Sequence, residues 1–328
     1  MELMPSTEQQ ELAASAAEYL ANEVPISRVR ELAKSSSDGL IDAVMWSEWA
    51  SMGFFSVGIS ETAGGLGLGL VEESLLVHQF GRHLTPGPLV PSIVAAHVAH
   101  AAGLEKLTTE LVGGIARAGI RVGDIGYDAA SEGIVLAVSR HGAELHVVRE
   151  SMPLPSIDSS TKISRLGLGA CVAEVHDELL QARLWVLQAA MLLGLAEAAQ
   201  EQSTSYAKIR HQFGQPIGGF QAVKHRCVDM VVRTYVASAQ IQLAALFVAE
   251  RRVDARFQAA SALTLALDAA RSNTVVNVQN HGGIGFTAEH NAGMLVTRMV
   301  ALESAAGPET DRLEAIVLPT RTIFGWEA

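Results

Sequence analysis

The sequence predicts a mainly helical protein with one small β domain between two helical regions, an α+β fold. Three observations predict it. The first hundred residues show helical apolar spacing, the stretch from about 120 to 175 is rich in β-branched residues broken by Gly, Pro, Ser and Asp, and four long apolar-periodic segments follow. We therefore divide the chain into an N-terminal helical domain (1–118), a reduced β domain (119–177) and a C-terminal helical bundle (178–328).

The N-terminal domain is predicted to begin with a capped helix. Ser6 and Gln9 form a capping box, in which the hydroxyl and the amide each satisfy a free backbone N–H. Four glycines between residues 61 and 70 indicate a loop. Further helices are predicted over residues 38–52, 71–83 and 91–102.

The middle and C-terminal domains differ in their periodicity. Short segments at 134–138, 144–148 and 170–175 are predicted to be strands, because β-branched residues there stand between turn residues. Each of the four later segments is longer than a common globular helix, and four in succession predict an antiparallel bundle. These helices are predicted over 184–209, 221–250, 256–281 and 288–305.

Composition excludes several classes of function. The net charge of −11 argues against a nucleic-acid partner, which would require a basic face. The 49% hydrophobic content and the mean hydropathy of +0.24 suggest surface buried against other subunits. The longest apolar run, 184–196, is shorter than the roughly 18 residues of a membrane span, and no signal-peptide pattern opens the chain. We therefore expect a cytoplasmic protein without a membrane span.

Cysteine and histidine usage predicts no metal site. Cys171 and Cys227 are the only cysteines, too few for a disulfide framework or a thiolate cluster. The eleven histidines include no H-E-x-x-H or comparable spacing. We expect both thiols to be free and buried.

A first candidate site lies between the first two bundle helices. Residues 206–221 are predicted to place Arg210, Gln212 and Gln221 around an exposed aromatic residue, Phe213. An arginine fork matches the geometry of a phosphate, and glutamine amides suit a nucleotide. A capped helix end with a solvated arginine is the alternative.

A second candidate site follows the third bundle helix, over residues 279–290. Gly282, Gly283 and Gly285 allow a pyrophosphate or another backbone to approach closely, and a helix begins soon after them. Glycines also end helices routinely, which is the alternative interpretation of this segment.

Together the two segments resemble the acyl-CoA dehydrogenase family. Residues 210–225 match its motif R-x-Q-F-G-x-P-I-x-x-F-Q-x-x-x-H, and residues 279–290 match Q-x-x-G-G-x-G-F-T-x-E-H. An E-x-x-G-G-x-G-L pattern at 61–68 extends the resemblance to the N-terminal helices. The resemblance implies that family's fold: an N-terminal helical domain, a middle β domain (reduced here) and a C-terminal four-helix bundle.

The resemblance also implies FAD as the cofactor and an acyl-CoA thioester as the substrate. In the family, these two motifs contact the FAD of the neighbouring subunit, and electrons pass to electron-transfer flavoprotein or a similar acceptor. His211 and His281 lie inside the motifs, and we interpret them as packing or hydrogen-bonding residues. By resemblance, the FAD-binding residues are Arg210, Gln212, Phe213, Gln221, Gln279, Gly282 and Gly283.

The chain lacks the family's catalytic base. Dehydrogenation at the α and β carbons needs a carboxylate, usually glutamate, to remove the α-proton. In many members it lies in a Y-E-G-T turn, where this chain has Gly307, and in others on the first bundle helix, where it has Leu184. Glu303 and Glu309 lie near the turn but do not match the motif. We therefore predict no catalytic residue in this chain.

Two further elements of the family are missing. The T-E-P-x-x-G-S and W-x-T (or W-x-S) motifs, which cradle the flavin ring in a larger β domain, are absent. With these elements missing, the chain resembles the short subunit of the two-subunit acyl-CoA dehydrogenases of actinobacterial steroid degradation. Those enzymes are heterotetramers that carry two flavins instead of four. This resemblance implies a homologous longer partner that supplies the ring pocket and the base, and a bulky steroid-derived acyl-CoA substrate. The alternatives are a flavin-free scaffolding subunit, or a self-contained homodimeric flavoenzyme that uses Glu303 or Glu309.

Overall fold

The first part of the molecule is helical. The computed structural model describes residues 4–34, 41, 43–287 and 290–317. The helices are α1 (Thr7–Glu23), α2 (Ile26–Lys34), α3 (Ala43–Ser51), α4 (Leu70–Arg82), α5 (Leu89–Ala101) and α6 (Glu105–Val112).

The N-terminal expectations are largely met. In the confirmed capping box, Gln9 N–H donates to Ser6 Oγ (3.3 Å) and Ser6 N–H donates to Gln9 Oε1 (2.9 Å). The helix predicted over 38–52 begins only at Ala43, and residues 38–40 and 42 lie outside the described residues. The sequence pattern does not predict α2 and α6, because helices this short show only roughly two turns of apolar spacing.

The β region closes into a small barrel. Its strands are β1 (Ala118–Val122), β2 (Ile125–Tyr127), β3 (Ile134–Ser139), β4 (Gly142–Leu154) and β5 (Ile163–Val175). They follow the order β1-β2-β5-β4-β3, and parallel pairing of β1 with β3 closes the ring. The predicted strands fall inside β3, β4 and β5, and the last two are longer than predicted because they pair with each other along almost their whole length.

The C-terminal part is a bundle of long helices. It comprises α7 (Leu179–Ile209), the hairpin strands β6 (His211–Gln212) and β7 (Gln215–Pro216), α8 (Gln221–Ala249), α9 (Ala255–His281), α10 (Asn291–Ala305) and α11 (Glu309–Val317). The helix predicted to start at 288 begins at Asn291 after its N-cap His290, and residues 288 and 289 lie outside the described residues. The helices, the small barrel and the bundle confirm the α+β fold class.

Two bundle helices are apolar enough to cross a membrane by length and composition. Helix α7 extends well beyond the uninterrupted apolar run 184–196, and α8 is a separate helix that contains no such run. In α7 the most apolar window is 83% buried inside the protein, as in the core helix of a globular fold. In α8 only 39% of the corresponding window is buried, so this helix presents apolar side chains at the surface.

Buried ion pairs tie the three parts together. Glu73 on α4 is 1% exposed and contacts both Arg183 on α7 and His97 on α5, the latter at 2.6 Å. Burial favours a raised pKa for Glu73, but the charges of Arg183 and His97 outweigh it and lower the pKa to about 2. On the barrel side, Arg298 of α10 donates from Nε to Asp158 Oδ2 (2.6 Å) in the segment between β4 and β5. The barrel is thereby fixed against the bundle.

Candidate functional site

The fold brings the two candidate segments to the same end of the bundle. Successive antiparallel helices place the C-terminal ends of α7 and α9 side by side, next to the start of α8. Asn280 Nδ2 on α9 donates to Ser203 Oγ on α7 (2.7 Å), and the rings of Tyr206 and His281 stack with centroids 4.2 Å apart. The predicted FAD-binding residues therefore all lie in this region.

The first segment folds into a tight hairpin whose tip is an exposed aromatic. Strands β6 and β7 pair around Phe213 and Gly214, and both of these residues have positive φ, +52° and +81°. Glycine adopts this conformation freely, but it is uncommon for a bulky residue. The Phe213 side chain is 92% exposed and meets the Phe220 ring edge-on at 6.2 Å. A strained, exposed aromatic is typical of a binding surface rather than of a simple turn.

Arg210 caps the C-terminal end of α7, where a cation is favourable next to the helix dipole. Its side chain is exposed, and no described acid lies within ion-pair distance of its guanidinium. Gln212 and Gln221 are exposed too. Residues 208–233 carry five lysines and arginines against one acid, in a chain of net charge −11. The hairpin end is thus a local cationic surface.

In the second segment, the glycines leave the backbone open. Gly282 ends α9 with φ +68° and ψ −146°, a conformation that essentially requires glycine. Gly283 has ordinary φ, and a Cβ added at either position would meet no atom of this chain within 4 Å. Internal packing therefore does not account for glycine at 283, whereas close approach of an external group would. Gln279 lies one turn earlier on the exposed face of α9.

The histidines of the two motifs have structural contacts. His281 is buried between Tyr206 and His290, whose ring centroid lies 4.4 Å away, and its Nδ1 lies 2.8 Å from the Asn277 carbonyl oxygen. His290 Nδ1 accepts from Ala292 N–H (3.1 Å) and so caps α10. His211 is exposed, with Nδ1 3.1 Å from the Ile209 carbonyl oxygen.

The residues present fit one side of an FAD site. An exposed guanidinium that pairs with no acid among the described residues matches the charge of a diphosphate, exposed amides can bond a nucleotide, and bare glycine backbone lets either approach. These groups are exposed at one end of the bundle.

Neither of the two positions where the family carries its catalytic base holds an acidic residue in this chain. Leu184 is 5% exposed in the core of α7, and Gly307 forms the turn between α10 and α11 with φ +81°. Glu303 forms an ion pair with Arg271, and Glu309 opens α11 at the surface.

The structure adds one acid that sequence reasoning missed. Asp128 lines a mainly apolar cavity of about 70 Å³ between the start of α5, the barrel, α7 and α10. Burial raises the pKa of Asp128 to about 6, although the Lys162 N–H donates to its Oδ1 at 2.8 Å. The cavity is far smaller than the roughly 300–1,000 Å³ of typical ligand pockets. Asp128 is half-buried, and no local sequence pattern signals this because it arises from long-range packing.

Models of known protein families match most of the chain. The model described as acyl-CoA dehydrogenase, N-terminal domain, matches residues 6–118, and that of the acyl-CoA dehydrogenase C-terminal domain matches residues 175–317. The unmatched interval corresponds to the barrel.

Two relatives of the chain agree with these matches. The acyl-CoA dehydrogenase IpdE2 of Mycobacterium tuberculosis is 30% identical, over 90% of this chain and 92% of IpdE2. The acyl-CoA dehydrogenase FadE34 of the same organism is 31% identical over 82% of this chain, which spans only 41% of the length of FadE34.

The fold is shared with chains of two solved assemblies. The Tcur3481-Tcur3483 steroid ACAD gives a TM-score of 0.82 at 24% identity, covering 97% of this chain and 99% of that one. The ChsE4-ChsE5 complex from Mycobacterium tuberculosis gives 0.82 at 22% identity, with full coverage of both chains. At these identities the likeness concerns the fold.

Proposed function

Because this chain belongs to the acyl-CoA dehydrogenase family, we propose that it is a subunit that completes the FAD site of a homologous, longer partner and leaves the catalytic base to that partner. One observation carries the proposal. A set of cofactor-binding groups is exposed at one end of the bundle, while neither family base position holds an acid.

The chain's role in this proposal is binding. FAD, when bound, supplies the acceptor for the hydride that leaves the β-carbon of the acyl-CoA. The Arg210 guanidinium neutralises the diphosphate, and the amides of Gln212 and Gln279 bond the nucleotide. The open backbone at Gly282 and Gly283 allows close approach. Since Leu184 and Gly307 cannot move a proton, the α-proton passes to a carboxylate of the partner.

An apolar surface on α8 supports a partner subunit. The first half of α8 directly follows the hairpin, and its exposed large apolar residues are Val228, Val231, Val232, Tyr235 and Val236. Ile284 and Phe286, 51% and 82% exposed, extend the apolar surface to the second segment. Contiguous apolar surface of this kind marks protein interfaces. The partner that covers it therefore also faces the cofactor-binding groups.

The proposed substrate is a bulky, steroid-derived acyl-CoA, and the proposed electron acceptor is electron-transfer flavoprotein or a similar protein. The substrate class rests on the resemblance to the short subunits of steroid-degrading dehydrogenases, and a chain of a steroid ACAD has the same fold. The 70 Å³ cavity of this chain is too small for such an acyl group, in agreement with a pocket supplied by the partner.

Flavin content under two expression conditions tests the proposal. The chain is purified alone and after co-expression with a longer homologue, and FAD is counted from its absorbance against protein. We expect bound FAD only in the co-expressed complex. One FAD per chain in protein expressed alone would instead support a homodimeric flavoenzyme. A stable complex without flavin would support a scaffolding subunit.

A further inference from the structure

A cluster of three different metal-ligand types lies on the barrel, away from the cofactor-binding groups. Glu144 and His146 alternate along β4, so their side chains share one face. Cys171 on β5 pairs with His146 across the ladder. One ligand atom from each residue lies within 4.8 Å of the other two.

An irregularity in the ladder creates this arrangement. Leu145 pairs with Ala173, so a regular antiparallel ladder would place Val172 opposite His146. The extra residue on β5 brings Cys171 there instead, as a β-bulge does when it re-aims a side chain. Cys171 is consequently exposed and Cys227 is half-buried, so the expectation that both thiols are buried is wrong.

The imidazole of His146 has one ring nitrogen that forms no hydrogen bond with the described residues. Its Nε2 lies 2.6 Å from Glu144 Oε2, and its side chain is 13% exposed. Its Nδ1 is buried and has no hydrogen-bond partner among the described residues. Buried polar atoms without partners are uncommon and call for an explanation, such as an ion or a water.

An open depression of about 700 Å³ lies beside the cluster, and Glu144 is the cluster residue that lines it. Glu174, which pairs with Glu144 across the ladder, lines it too, together with Arg121, His141 and His176. Each of the two carboxylates has a histidine beside it, His146 at 2.6 Å from Glu144 and His176 at 3.4 Å from Glu174. An ion can therefore reach the Glu144 side of the cluster from solvent.

We propose that Glu144, His146 and Cys171 bind one Zn²⁺ ion. A thiolate, an imidazole and a carboxylate suit zinc, whereas calcium and magnesium prefer oxygen ligands alone. Tetrahedral zinc requires ligand atoms roughly 3.3–3.6 Å apart, which needs side-chain shifts of about 1 Å from the metal-free arrangement. The Cys171 thiol gives its proton to solvent on binding. Water or Glu174 completes the coordination, and the ion links β4 to β5.

Metal titration of the full chain tests this proposal, in its complex if the chain requires one. Protein freed of metal by a chelator is titrated with Zn²⁺ against a chromophoric competitor, and separately with Co²⁺. We expect one ion per chain and a thiolate-to-cobalt charge-transfer band. Cys171→Ser and His146→Gln should each weaken Zn²⁺ binding by at least the roughly 10- to 100-fold that loss of a supporting residue costs.

Cys227→Ser is the matched control, because this second thiol lies on α8 and should leave binding unchanged. Melting curves of each variant without metal show whether it still folds. The absence of a saturable ion or of the cobalt–thiolate band in the unmodified protein would overturn the proposal, whatever the variants do. Equal affinity in folded Cys171→Ser would overturn it as well. None of these results depends on flavin binding.

Discussion

At the scale of single residues, Arg210 is the position where a structural and a functional role differ most clearly. A cation at the end of α7 stabilises the helix a little wherever its side chain points. A diphosphate ligand, in contrast, would use the planar fork of the guanidinium. Flavin binding and helix stability therefore respond differently to the same substitution.

We predict that Arg210→Ala weakens FAD retention in the complex by roughly 1.5–3 kcal/mol, the range for a hydrogen bond to a charged group. Arg210→Lys should recover only part of this, because lysine lacks the bidentate fork. Arg149→Ala, which removes an exposed arginine from β4, is the matched control and should bind FAD normally. Equilibrium dialysis of FAD measures all three. Unchanged retention in both Arg210 variants would leave this residue as a helix cap only.

Glu73 provides a prediction about stability and pH. Glu73→Gln should lower the free energy of unfolding by about 3–5 kcal/mol at neutral pH, because it removes the buried carboxylate and leaves the half-buried Arg183 charge uncompensated. The folded-state pKa of about 2 lies below the ordinary 4.5, so the stabilisation is complete above pH 4.5 and is lost as the pH falls through 2. The difference between variant and parent should therefore shrink on acidification.

Denaturant titrations at several pH values check this. Glu18→Gln on α1 is the control, since Glu18 is exposed, and it should change stability by no more than about 0.5 kcal/mol. A Glu73→Gln effect that is as small as the control, or that grows on acidification, would contradict the assignment of this ion-pair cluster.

The carboxylates near the family's base positions give a third prediction. Glu303→Gln, Glu309→Gln and Asp128→Asn should each keep turnover of the assembled, flavin-loaded complex within about tenfold, whereas loss of a general base costs roughly 10²- to 10⁴-fold. Glu303 is already paired with Arg271, and Asp128 faces a cavity too small for an acyl chain. Steady-state assays with flavin content checked measure this. A loss of the larger size in any variant would place the base in this chain.

At the scale of secondary structure, α8 is the helix whose apolar side chains are left exposed at the surface. Val232→Asp should weaken association with the partner by at least 2 kcal/mol, about 30-fold in Kd, if it lies in the central part of the interface. Val253→Asp is the control, because Val253 is 87% exposed in the turn after α8, at the far end of the bundle. Co-purification and a binding titration compare them. Equal binding by the two variants would exclude the proposed interface.

The sequence predicts the positions of the long helices better than those of the short helices and the register of the strands. Long helices such as α7 and α9 repeat their apolar pattern over many turns, so their ends fell within a few residues of the prediction. The short helix α6 gives too few turns for the same signal. The exposure of Cys171 could not be predicted, because one extra residue on β5 decides which side chain faces His146, and the sequence pattern carries no information about register.

At the scale of the whole molecule, the fold class followed from the order of the periodic segments, but the closed barrel did not. Its closure depends on parallel pairing of Gly119 with Val135 and their neighbours, a contact between separate strands that alternation alone does not specify. The residues of the candidate site can be listed from the sequence because both motifs are continuous, and their role in FAD binding stays a prediction. The positive φ of Phe213 cannot be read from the sequence, because the pairing of β6 with β7 around it sets that conformation.

The central claim is that this chain shares one flavin with a partner and holds none alone. Native mass spectrometry of the co-expressed complex counts chains and flavins together. We expect an assembly of two copies of each subunit that carries two FAD, and flavin-free protein when this chain is expressed by itself. An assembly with four FAD, or a homodimer of this chain with one FAD per copy, would contradict the claim.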